Sequence, residues 1–266
     1  MLLSRWTYYL SSIPTLLFGV RNIVPMLRMF LPLPGRQPFV LELRNGLRFR
    51  VRSAMDIWII KETCLDRDYE RESVALGQDW TVIDIGAGLG DFTVHAAHHS
   101  ARGTVYAFEP TPESFRLLEE NLRLNQIRNV QPQQLAIGSA PLMVLKIDSG
   151  VPVRFSTAEA NGSSGGQTSV EVRGAPLDEV IAGLPISRCD LLKIDCEGAE
   201  YDIFFHTSPD TFRKIDRICM EYHNNVTPYS HLDLMDFFVK QGYIVKHAPN
   251  PAHREIGFLY AYRPDA

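Results

Sequence analysis

A chain of 266 residues that is 45% hydrophobic has material for one sizeable core and a small appendage. Its net charge of −4 argues against a general nucleic-acid binder. Four scattered cysteines, Cys64, Cys189, Cys196 and Cys219, lack the spacing of a disulfide framework or a zinc site and read as small buried hydrophobes in a reducing compartment.

Residues 1–55 carry eight arginines, no lysine and one acid, Glu42, so this stretch stands at +7 against −11 for the rest. Residues 1–37 are expected to form a helical leader broken by Pro14, Pro25 and the Pro32-Pro34-Gly35 cluster. Its apolar run, Trp6 to Val20, is short for a membrane span, and no small-residue cleavage site follows. A cytoplasmic protein is the reading, with the leader either a solvated helical face or a point of peripheral membrane contact. Phe39 to Val51 alternates about Asn45-Gly46 and predicts a β-hairpin; 55–77 has helical character.

From Thr81 the chain alternates. Strands are expected at 81–86, 104–109, 130–137, 190–195 and 216–222, with helices at 91–100, 112–124, 176–183, 200–206 and 229–241. That rhythm predicts an α/β, Rossmann-like domain over 38–266 with a mostly parallel sheet of seven strands. The last two, near 243–247 and 257–262, are joined by a short connection and form an antiparallel C-terminal edge. Residues 143–172 interrupt the rhythm as a hairpin whose Gly/Ser-rich segment, 161–167, reads equally as a lid or a connector.

The run Thr81 to Asp91 (TVIDIGAGLGD) is the most informative. A buried strand ends in Asp84, glycines 86, 88 and 90 follow, and Asp91 is a candidate helix cap. Gly86, Ala87 and Gly88 form a cradle in which a ligand lies against backbone. A dinucleotide loop spaces its glycines G-x-G-x-x-G; here Asp91 holds the third-glycine position. Asp84 would repel a diphosphate and attract an ammonium or a sulfonium, and S-adenosylmethionine carries both. Glu109, 19 residues beyond Gly90 at the tip of the second strand and followed by Pro110, is placed to hold a ribose diol. The competing role for Glu109 is capping the next helix.

Alternation on the strand after Asp190 puts Leu191, Lys193 and Asp195 on one face and Leu192, Ile194 and Cys196 on the other. A lysine inside such a strand requires a carboxylate, with Asp84, Asp195 and Glu221 as candidates. Asp195 and Glu197 emerge at the strand's C-terminal end, and the fifth strand brings Glu221 and His223 to the same rim. His223, with a pKa expected near working pH, is the candidate general base. A divalent metal on Asp195, Glu221 and the Asn224-Asn225 pair stays open but is not favoured. His95, His98 and His99 share a helix face without an evident acidic partner.

Assembled, these residues resemble the FkbM-type methyltransferase family over roughly residues 38–262. Four blocks carry the resemblance: Met55 through Glu62 to Tyr69, Val82 to Thr93, Ala107-Phe108-Glu109-Pro110, and Leu191 to Glu200 (LLKIDCEGAE). The last is the most specific. Family members commonly have asparagine at the position of Gly88. The resemblance implies a class I methyltransferase fold and S-adenosylmethionine-dependent O-methylation of a hydroxyl on a sugar, glycoconjugate or natural product. It implies that Asp84, Gly86, Gly88 and Glu109 hold the cofactor, with Ala136 beside the adenine and Asp195 facing the methionine end and a small-molecule or glycan acceptor. A nicotinamide-dependent oxidoreductase and an inactive cofactor-binding scaffold remain the alternatives.

Overall fold

The computed structural model describes residues 2–32, 37–72, 74–147, 154–155 and 168–265. Helices α1 (Leu2–Gly19) and α2 (Ile23–Phe30) lead into a hairpin of β1 (Phe39–Glu42) and β2 (Arg48–Val51). Pro14 does not break α1. The carbonyl it leaves without a donor belongs to Leu10, on the exposed side of the helix, where water can satisfy it. The inward residues Leu16, Val20, Met26 and Met29 share one buried cluster with Leu41, Phe49, Val51 and Ile57.

Helix α3 (Ala54–Ile60) starts where the Ser53 hydroxyl accepts from the Asp56 amide. It passes into a π-helical turn, Lys61–Leu65, and a 3-10 turn, Asp68–Glu70. The helical character expected over 55–77 thus stops early, because Arg67 adopts a left-handed φ of 57° between the two turns.

The central domain then alternates β3 (Thr81–Ile85), α4 (Asp91–His99), β4 (Thr104–Phe108), α5 (Pro112–Leu124) and β5 (Val130–Gln133). The strand expected over 130–137 is two strands in two sheets. Its second part, β6 (Ala136–Ile137), joins β7 (Leu142–Ile147), β8 (Arg154–Phe155) and β9 (Thr168–Ala175) in a small sheet of order β6-β9-β7-β8. The Gly/Ser-rich segment 161–167 lies outside the described residues. Next come α6 (Leu177–Gly183), β10 (Leu191–Ile194), α7 (Glu200–Phe205), α8 (Pro209–Phe212), β11 (Arg217–His223), α9 (His231–Lys240), β12 (Ile244–Pro249) and β13 (Ile256–Tyr262).

The large sheet has seven strands in the order β12-β13-β11-β10-β3-β4-β5, and only β13 runs against its neighbours. Central β10 is buried along its whole length. Leu192 and Ile194 join the cluster that includes Phe204 and Phe238, while Leu191 joins Val82, Cys219 and Tyr260 on the other face. After β5 the chain returns to pair β10 on the far side of β3. The C-terminal ends of β3 and β10 therefore flank the switch point at which open α/β sheets bind ligands.

Candidate active site

The turn after β3 is built by close approach. The amides of Gly86 and Ala87 both donate to the Phe108 carbonyl at 3.0 Å, tying the turn to the end of β4. Gly86 has φ +75°, and a Cβ there would stand 1.8 Å from the Asp195 carbonyl oxygen. The Cβ side of Gly86 is thus filled by the chain leaving β10, so packing against that chain requires a glycine here whatever its backbone does toward a ligand. At Gly88, with φ +54°, an added Cβ would meet nothing within 4 Å. This is the open side of the cradle, and its left-handed φ is one asparagine tolerates. The cap of α4 is Gly90, φ 89°, and Asp91 is the first helical residue. Buried Asp91 accepts from the Thr63 hydroxyl at 2.6 Å, so it ties α4 to the π-helical turn instead of capping.

Asp84 is fully buried. Its Oδ2 accepts from the Thr93 hydroxyl at 2.5 Å, and Lys193 Nζ lies 3.1 Å from its Oδ1. Lys193 also donates to the Gly86 carbonyl at 3.0 Å. Burial works against the ammonium, but Asp84, Asp195 and Asp91 outweigh it and hold Lys193 above its ordinary range. The required partner of Lys193 is therefore Asp84. The same ion pair offsets the charge on which the expected attraction of Asp84 for a cationic donor rests.

Glu109 is also buried. Its Oε2 accepts from the Gly88 amide at 2.9 Å, and its Oε1 accepts from the Thr111 amide at 2.9 Å and hydroxyl at 2.5 Å. Turn-binding and helix-start roles coexist in one carboxylate. Burial raises its pKa, against the donors from Thr111 and Gly88. Neighbouring Pro110 is buried, and Ala136 packs in the small sheet among Met143, Leu145 and Val172.

At the rim, Asp195 is partly exposed and accepts from the Tyr69 hydroxyl at 2.9 Å. Lys193 pairs with Cys219 and Ile194 with Met220, so the parallel register carries Asp195 to the level of Glu221 on β11. Partly exposed Glu221 has a pKa well above the carboxylate range, first from burial and then from Asp195. His223 lies between carboxylates, with Nδ1 3.2 Å from Glu200 Oε1 and Nε2 3.5 Å from Glu197 Oε2. Burial alone would lower its pKa; the bond to Glu200 and the charges of Glu200, Asp195 and Glu221 instead raise it to about 10. That direction favours the imidazolium at neutral pH and counts against the general-base role expected of His223.

One ligand atom each from Asp195, Glu197 and His223 lie within 4.8 Å of one another, a grouping that can hold a metal ion. A cation there would first have to displace a ring proton from His223. Of the set expected from sequence, Asp195 is in this grouping and Glu221 is not; the Asn224 oxygen accepts from the His231 amide at 2.9 Å and Asn225 is exposed. His95 does have an acidic partner, Glu70, and its ring also packs at a tilt against His99.

Two rim-organising residues went unassigned in the sequence. Glu200, fully buried, accepts from the amides of Cys196 at 2.9 Å and Gly198 at 2.8 Å and so shapes the turn bearing Glu197. Tyr69 reaches Asp195 across 126 residues of sequence. Each closes a block that carried the family resemblance, the one available signal.

This strand order, with the penultimate strand in sequence position at the edge and the last reversed beside β11, defines a Rossmann-like class I methyltransferase. Residues 84–245 match the Methyltransferase FkbM domain family, and the chain belongs to it. It is an S-adenosylmethionine-dependent methyltransferase, which removes the nicotinamide reading. The chain is 27% identical over 210 residues to AMB antimetabolite synthetase AmbE of Pseudomonas aeruginosa, covering 63% of this chain but 9% of that protein. It is 25% identical over 197 residues to hexuronic acid methyltransferase AglP of Haloferax volcanii, covering 73% of this chain and 77% of the relative. The solved structure of methyltransferase FkbM from Methylobacillus flagellatus shares the fold, with a TM-score of 0.51, 13% identity and coverage of 79% of this chain and 54% of that one. Among the described residues no helix is long and apolar enough to cross a membrane.

Proposed function

We propose that this methyltransferase alkylates a hydroxyl oxygen, on a sugar, glycoconjugate or small natural product, at the rim formed by β10 and β11. The observation that carries the reading is the partly exposed Asp195–Glu221 pair at the C-terminal ends of β10 and β11, where the Asp195 carbonyl packs against Gly86 of the turn after β3. It supplies a proton acceptor where the switch point places a ligand. The acidic acceptor of the Haloferax relative, a hexuronic acid by its name, supports the sugar class.

When bound, S-adenosylmethionine supplies an electrophilic methyl carbon on a sulfonium. Gly86, Ala87 and Gly88 would hold it along the turn, with Glu109 and Pro110 at the ribose and Ala136 toward the adenine. Buried and already paired, Asp84 would act by fixing Lys193 and Thr93 beneath that turn. Asp195, held by Tyr69, orients the acceptor hydroxyl. Glu221, once ionised, takes its proton; burial beside Asp195 makes the carboxylate a stronger base but keeps it protonated until the pH is raised. His223 keeps Glu197 and Glu200 in place and accepts no proton. Most of the acceleration is positioning, because oxygen, carbon and sulfur must lie in line.

The test is transfer of a labelled methyl group to a panel of uronic acids, neutral sugars, phenols and primary amines. Product stable to base, as an ether is, supports hydroxyl transfer. Label appearing on amines alone overturns it.

A further inference from the structure

The large apolar side chains exposed to solvent are concentrated in one place. Eight of the seventeen among the described residues fall between Tyr9 and Phe30. On α1, Leu10, Ile13 and Leu17 recur at helical spacing, with Phe18 beside them 78% exposed. On α2, Val24, Leu27 and Phe30 repeat the pattern, with Val24 64% exposed. These are outward stripes, because the inward positions Leu16, Val20, Met26 and Met29 are already in the core. Monomeric proteins rarely concentrate exposed apolar side chains in this way without a use for them.

The exposed charges carried by the two helices and the link between them have one sign, although Glu42 of β1 lies beside Arg21. Arg21, Arg28 and Arg44 are exposed, and the first acid in the chain is Glu42, so no carboxylate on either helix offsets them. The patch is also held rigid. The Arg21 amide donates to the Glu42 carbonyl at 2.7 Å, and the Asn22 side chain bonds Val40 and Glu42 of β1 at 2.8 and 2.9 Å.

From this we propose that the outward face of α1 and α2 docks on the surface of an anionic lipid bilayer, with the apolar stripes in the acyl boundary and the arginines among the headgroups. Interfacial helices combine apolar and basic faces in this way and lie in the plane of the membrane. Charge argues against a second copy as the occupant, since dimerisation through this face would oppose two strongly cationic surfaces. The inference is independent of the acceptor reading; it places the enzyme at a membrane whatever hydroxyl it methylates.

Flotation of the full chain with phosphatidylcholine vesicles, with and without about 30% phosphatidylglycerol, tests it. The expected result is at least about tenfold more protein on the anionic vesicles, falling as salt is raised. Arg21→Gln and Arg28→Gln should each lower binding about fivefold, at roughly one basic residue's worth of attraction. Phe18→Ser with Val24→Ser should lower it on both vesicle types, with an unchanged melting curve because both side chains are outside the core. Equal recovery with and without vesicles overturns the proposal. So does sedimentation as a dimer that the Phe18 and Val24 substitutions dissociate, which would make this face a protein interface.

Discussion

His223 shows how a residue of the right type in the right place is disqualified by its neighbours. A histidine exchanges protons near neutrality only while its charged form is not over-stabilised. Here the ring is buried between Glu200 and Glu197, and its pKa of about 10 leaves it protonated. Glu221 is the opposite case, a carboxyl whose burial beside Asp195 favours the proton and thereby makes it a stronger base once ionised. The pair makes a kinetic prediction. Glu221→Gln should lower kcat by about 10²–10⁴-fold without weakening cofactor binding. His223→Gln should change kcat far less than Glu221→Gln while lowering the melting temperature. In the wild type, kcat should rise with pH as Glu221 ionises, and the Glu221→Gln variant should lose that limb. A wild-type profile that instead follows ionisation of His223 would return the base role to the histidine.

Among elements, the β3–α4 turn separates two uses of glycine that look alike in sequence. Gly86 is required by packing and Gly88 by open space. Gly86→Ala should destabilise the fold by about 3 kcal/mol or more, since the clashing atom is the backbone carbonyl of Asp195, just past β10, which cannot move aside. Gly88→Ala should cost only about 1–2 kcal/mol for its left-handed φ, yet abolish the stabilisation that S-adenosylhomocysteine gives the wild type. Thermal melts with and without that ligand check both. What was legible here follows period two: alternation alone put Lys193 opposite Ile194 and demanded a carboxylate, which Asp84 supplies at 3.1 Å. The glycine spacing and the βα rhythm likewise exposed the sheet. Less local facts were hidden. Nothing in a strand's own residues says that the Asp195 carbonyl fills the space at Gly86, or that Tyr69 will reach Asp195. Nor does composition distinguish β5 from β6, since two different sheets recruit them. Pro14 misled because its cost depends on whether the orphaned carbonyl can reach water.

For the molecule as a whole, the buried charges set how stability varies with pH. His223 has a folded pKa of about 10 against 6.5 for the free side chain. Its contribution is therefore complete below about pH 6.5 and is lost as pH rises through about 10. Glu70 works in the other direction. Burial opposes its ionisation, but the bonds from His95 and Arg67 bring its pKa down to about 2. Its contribution is present above 4.5 and disappears as pH falls through about 2. Asp68 and Asp91, raised by burial to about 6, favour the folded state more when protonated, so they partly offset acid unfolding below that value. On the alkaline side the Glu200–His223–Glu197 clamp joins β11 to the turn before α7, so loss of its proton loosens two elements of the central sheet together. Urea unfolding midpoints should accordingly fall between about pH 6.5 and 10 in the wild type. His223→Gln should start lower and decline less over the same interval, because the group responsible has been removed. Parallel curves for the two proteins would mean that the alkaline loss arises elsewhere, and that the His223 ring is not held as a cation.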